Sequence, residues 1–190
     1  MRMQYQQSSE WCWIAVATSV NHWYNQESSW TQCAVMTDVG QRSNHFAPNS
    51  TACPSSNTLA EFPALANDLA DPYNVADLYI LDNPIYSITT EYLKSGNVRD
   101  PLQTTGNFAS FQATDITSQQ ILDELAFGRP VLADIQWPSG LEHVVAIAGL
   151  EAPSWVILDP VNGQSLIAID DFPAKYLGGA RLLDYVFTQA

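Results

Sequence analysis

At Gly128 the apolar pattern changes character, and that change constrains the fold more than any other feature of the 190 residues. Ahead of it, apolar side chains recur at helical spacing. Behind it come short apolar runs at residues 131–137, 143–150, 155–158, 165–169 and 182–187, each of strand length. Pro138-Ser139-Gly140, Glu151-Ala152-Pro153 and Val161-Asn162-Gly163 supply turns between them. Helices first and neighbouring strands afterwards predict an α+β fold, with the helices on one side of an antiparallel sheet. A chain of this length makes one domain. Its helical lobe is expected over about 1–127 and its β lobe over about 128–190.

The first helix is predicted over residues 9–24. Trp13, Val16, Ala17, Val20 and Tyr24 fall on one face, and Ser8, Ser9 and Glu10 serve as cap and first-turn residues. Residues 25–57 are polar, anchored by Trp30, Cys33 and Cys53. So long a stretch is expected to hold a short helix, placed near 31–39. A further helix starts at residues 55–58 with Leu59, Phe62, Leu65, Ala66 and Leu69 as its stripe, and ends at Asp71-Pro72. Residues 87–94 form a short helix closed by Gly96. Residues 100–112 read as loop or irregular strand. Thr117 or Ser118 caps a helix carrying Ile121, Leu122, Leu125 and Ala126, with Gly128 as its stop. Residues 170–177 form one or two helical turns.

Charge narrows the partners. Twenty acidic against seven basic residues give a formal −13, which disfavours nucleic acid, whose phosphates need a basic footprint. With no run of about 18 apolar residues, no membrane helix is expected. Residues 1–6 lack the apolar core of a signal peptide. The protein is then cytoplasmic, exported by another route, or a piece of a longer chain. If Cys12 is free, Cys33 and Cys53 remain as a candidate pair, a bond that would contribute about 3 kcal/mol. The cysteines lack compact zinc-ligand spacing, so no metal and no cofactor is expected.

Cys12 stands near the start of the first predicted helix, where the dipole and unpaired N–H groups favour a thiolate. That is the setting of a nucleophile; it also suits a small cysteine buried in a core helix. A nucleophilic thiolate needs a base, and the base an orienting group. His22 lies ten residues along the same helix, about 15 Å away, and His45 sits in the polar stretch. His143 opens the apolar run 143–149, and Asp159 closes the next one. Antiparallel neighbours bring the start of one strand beside the end of the next. The carboxylate would then fix the imidazole tautomer. Taken singly, His143 also reads as a satisfied core histidine and Asp159 as a turn residue before Pro160.

Gln6, Cys12-Trp13, the strand from Glu142 through His143 to Gly149, and Asp159 together resemble the papain-like cysteine proteases. In that family a glutamine stands six positions before the catalytic cysteine and a tryptophan follows it. Gln6 and Trp13 match, and His143 follows Cys12 by 131 residues, within the family's range of roughly 130–150. The chain departs in having Asp159-Pro160 where the family usually carries asparagine ahead of Ser-Trp-Gly, and in lacking Gly-Ser-Cys-Gly at the nucleophile. Two bacterial branches are more similar. The plant-pathogen avirulence effector proteases resemble residues 6–23 and 30–33, and the bacteriocin-processing double-glycine peptidases share the Asp-Pro end.

The resemblance implies a Cys12–His143–Asp159 triad with Gln6 and the Cys12 amide as oxyanion donors, acting on a protein or peptide. It further implies an effector or toxin domain, secreted or delivered into a target cell, that travels with a cognate immunity or inhibitor protein. Trp11, Trp13, Trp137 and Trp155 are expected near the cleft mainly as packing, and Glu10 and Glu142 flank it. Rival readings are a peptidoglycan-peptide amidase of the NlpC type, a bacteriocin leader peptidase and a catalytically silent papain-like binding module.

Overall fold

The computed structural model describes residues 1–7, 10–43, 97–113 and 116–190. The helices expected within 55–71 and 87–94, together with Ser8, Ser9, His45 and Cys53, lie outside the described residues. Within them the elements are α1 (Cys12–Tyr24), α2 (Gln32–Arg42), α3 (Arg99–Thr105), β1 (Phe108–Gln112), α4 (Ser118–Ala126), β2 (Val131–Gln136), β3 (Glu142–Glu151), β4 (Ser154–Asp159), β5 (Gly163–Ala168) and β6 (Arg181–Thr188). Two short 3₁₀ turns, Ile169–Asp171 and Tyr176–Gly178, precede β6. The strands form one sheet in the order β1-β6-β2-β3-β4-β5, with every pair antiparallel.

Alternation along the strands gives the sheet two apolar faces. Leu132, Val144, Ala146, Leu158 and Val186 pack against α1, α2 and α3. Val131, Ala133, Ile135, Val145, Ile147, Trp155 and Ile157 face the other way, against Ile121 of α4 and Tyr176. The expectation of helices on one side therefore holds for α1–α3, while α4 covers the opposite face. Both faces of β2 and the middle of β3 are buried, which is why these strands read as continuous apolar runs.

Helix α1 is the centre of the first core. Every residue from Trp13 to Asn21 is buried, so no face is left to water, contrary to the one-sided stripe read from periodicity. Thr18 and Ser19 tolerate this because their hydroxyls donate to the carbonyls of Ile14 and Ala15, at 2.8 and 2.6 Å. The N-terminal segment covers what remains. The Gln4 N–H donates to Ser19 Oγ at 2.8 Å. Gln32, 1% exposed, accepts from the Gln7 N–H and donates to the Tyr5 carbonyl, at 3.0 and 2.8 Å.

Two boundaries differ from expectation. The cap of α1 is Trp11, without a side-chain hydrogen bond, so Glu10 precedes the helix and Cys12 is its first residue. Within residues 100–112, expected as loop or irregular strand, the first part belongs to the helix Arg99–Thr105. Pro101 sits in its first turn, where a missing N–H costs nothing, and Gly106 closes it at φ 80°. The strand part of that expectation survives as β1, paired with β6. The cap expected at Thr117 holds, and the helix expected near 31–39 is α2, capped by Thr31. Thr31 accepts from the Ala34 N–H at 3.1 Å, and Thr117 forms a reciprocal capping box with Gln120.

Candidate active site

Strand register brings His143 and Asp159 together. Ala146 of β3 pairs with Leu158 of β4, so the start of β3 lies beside the end of β4. His143 continues the series Ile147, Val145 on one strand, and Asp159 continues Trp155, Ile157 on the other. The His143 Nε2–H donates to Asp159 Oδ1 at 3.0 Å. Asp159 is completely buried and His143 nearly so.

The carboxylate is saturated with donors. Oδ1 also accepts from the backbone N–H groups of Val161 and Asn162, at 2.7 and 3.0 Å. Oδ2 accepts from Asn162 Nδ2 at 3.0 Å and from the Tyr176 hydroxyl at 2.9 Å. Burial alone would raise the Asp159 pKa, but hydrogen bonding to His143, the imidazolium charge and the Asn162 donors outweigh it and hold the carboxyl well below its ordinary value. For His143, burial is likewise the largest single influence and acts downward. It is overcome by the hydrogen bond to Asp159, the neighbouring Cys12 side chain and the charges of both, which together push the imidazole up to about 10.

His143 spends Nε2 on Asp159, which leaves Nδ1 for Cys12. Cys12, free and partly buried, lines a cavity of about 470 Å³ shared with His143, Trp13, Glu10, Asp134 and Glu142. The loop Ser139-Gly140-Leu141 forms its rim. Gln6 is held by its backbone, the N–H donating to the Pro160 carbonyl at 3.0 Å. That bond fixes Gln6 beside the turn that follows Asp159. His22, set aside on spacing, contacts the Trp30 carbonyl through Nε2 at 2.7 Å.

Among the tryptophans, Trp11, Trp13 and Trp155 are core residues, 6%, 2% and 2% exposed, as the packing expectation had it. Trp13 also lines the cavity, and its indole N–H donates to the Glu10 carbonyl at 2.8 Å. Trp137 stacks over His143, with centroids 6.3 Å apart and planes at 25°. It also stacks on Tyr176 at 6.0 Å and 18°. Sequence reasoning missed three residues of this site. Asn162 was read only as a turn residue, although an Asp-Pro-Val-Asn turn offers its donors back to the aspartate. Asp134 was read as one position in an apolar run. Tyr176 gave no signal, since its place beside Asp159 depends on the path of the chain between β5 and β6.

Cys33 is disulfide-bonded; Cys53, its candidate partner, lies outside the described residues. Among the described residues no group of His, Cys, Asp and Glu could hold a metal ion, and no helix is long and apolar enough to cross a membrane.

Residues 1–79 match the family described as papain-like cysteine protease AvrRpt2. The match supports the papain-like resemblance and, with it, protease function in general. It contains Gln6 and Cys12, while His143 and Asp159 lie beyond its end. A helical layer on an antiparallel sheet is consistent with that family's α+β fold. No curated protein matches the chain.

Proposed function

We propose that the protein hydrolyses peptide bonds with Cys12 as nucleophile, His143 as general base and acid, and Asp159 as the group that orients the imidazole. The observation that carries this reading is the 3.0 Å contact of His143 Nε2 with a buried, fully hydrogen-bonded carboxylate, on a ring that shares one cavity with the free Cys12. The carboxylate favours the imidazolium, and the imidazolium favours a thiolate beside it. The thiolate attacks the scissile carbonyl carbon, and the Cys12 amide at the start of α1, with Gln6, stabilises the oxyanion. His143 gives its proton to the departing amine, then takes one from water as that water attacks the thioester. Amine and acid leave, and Cys12 and His143 return to their starting states.

The acidic lining of Glu10, Asp134 and Glu142 supports a preference for substrates with a basic residue near the scissile bond. The match to an avirulence-type family supports a role as a bacterial effector delivered into a target cell. A cognate inhibitor protein is a further expectation of that role. The test is hydrolysis of a denatured protein substrate such as casein. Wild type should cleave it, while Cys12→Ala and His143→Ala, folded by circular dichroism, should lose at least about 10³-fold in rate. Equal cleavage by wild type and Cys12→Ala would remove the thiol from the mechanism. Release of muropeptide stems with no casein cleavage would favour the amidase alternative.

A further inference from the structure

We propose that Tyr176 is a positioning residue of this site, tying the Asp159 carboxylate and the His143 ring into one rigid unit from the side away from the cavity. The proposal rests on the Cys–His–Asp reading above. Tyr176 is 3% exposed and makes two contacts that bear on the imidazole. Its hydroxyl donates to Asp159 Oδ2 at 2.9 Å, which leaves Oδ1 turned to His143 Nε2. Its ring stacks on Trp137, which in turn stacks on His143; Phe172 packs edge-on to it at 5.8 Å. One side chain thus constrains the carboxylate through a charge-assisted hydrogen bond and the imidazole through a stack of three rings.

Backbone N–H groups of Val161 and Asn162 would hold Asp159 in its turn without Tyr176. They engage Oδ1 alone, however, so rotation about the carboxylate is checked at Oδ2 by Asn162 and Tyr176. Burial and the adjacent carboxylate both raise the phenol's pKa. The hydroxyl therefore stays protonated and serves Asp159 as a donor.

The experiment is a double-mutant cycle. Iodoacetamide alkylation of Cys12, mapped by mass, is followed from pH 3 to 10 in wild type, Tyr176→Phe, His143→Ala and the double variant. Phenylalanine keeps the ring stack and removes only the hydroxyl. Tyr176→Phe is expected to slow alkylation three- to tenfold and to move the acid limb of the profile upward, because with Oδ2 held by Asn162 alone the carboxylate orients the imidazolium less well toward the thiolate. In the His143→Ala background the same substitution should change the rate by less than twofold. A wild-type profile for Tyr176→Phe, or an equal loss in both backgrounds, would overturn the proposal. If His143→Ala by itself leaves the rate unchanged, the Cys–His reading fails first, and the positioning role fails with it.

Discussion

The Asp159 carboxylate is the residue on which both stability and chemistry turn. It is fully buried and receives five hydrogen bonds, so truncation would strand donors from two chain segments and leave His143 without its counter-charge. Asp159→Ala is expected to lower stability by about 3–5 kcal/mol, read as a shift in urea midpoint. Linkage gives the pH dependence its sign. The depressed carboxyl contributes stability that is present above its ordinary 3.8 and is lost as pH falls through the lower native value. The raised imidazole contributes stability that is complete below its ordinary 6.5 and is lost as pH rises through about 10. The contribution of this pair to the urea midpoint should therefore be greatest between about pH 4.5 and 6.5 and decline towards pH 10. In His143→Ala the alkaline decline should flatten, and an unchanged decline would point to another group.

At the scale of elements, β2 carries a conflict that its apolar run concealed. Asp134 stands opposite Asp184 of β6, and the register slips at the next residue, Ile135. Arg99 of α3 reaches Asp184 Oδ2 at 2.8 Å. Burial first, then the charges of Asp184 and Glu142, push the Asp134 carboxyl up to about 7. A raised carboxyl opposes folding increasingly as pH climbs from 3.8 to 7. Asp134→Asn should therefore stabilise the protein by about 1–2 kcal/mol at pH 8, after allowance for solvent screening, and leave it nearly unchanged at pH 4. Thermal melts at the two pH values measure this, and equal effects at both would remove charge as the cause.

What was legible at this scale follows from how local each signal is. The strands rest on short apolar runs bounded by turn residues and the Thr117 helix on its cap, all within a few residues, whereas the helix near 31–39 was expected only from the length of the polar stretch. The meeting of His143 and Asp159 is equally local, because a tight connection fixes the register of β3 on β4. Helix α3 was hidden because seven residues are too few to show a period, and Asp100-Pro101 reads as a turn until Gly106 is seen to close it. The position of α4 behind the sheet and that of Tyr176 beside Asp159 are long-range outcomes, and no spacing within the chain encodes them.

For the whole molecule, the N-terminal segment ties the helices to the sheet. Residues 4–7 are bonded to Ser19 of α1, to Gln32 of α2 and to Pro160 after β4, so one strap joins two helices to the turn that follows Asp159. Cys33, next to Gln32, is disulfide-bonded, whereas Cys12 is free. In unreduced protein, Cys12 is expected to alkylate while Cys33 stays unlabelled until reductant is added. Reduction should cost about 3 kcal/mol, seen as a lower melting temperature. Labelling of Cys33 without reductant would contradict the bond.

The central claim is that Cys12 and His143 form an ion-paired nucleophile. It is tested most directly by the alkylation rate of Cys12 in wild type and His143→Ala between pH 5 and 9. The account predicts fast labelling that persists well below pH 8 in wild type and collapses in the variant. Labelling that rises only near pH 8.5, with the same profile in both proteins, would mean an ordinary thiol and contradict it.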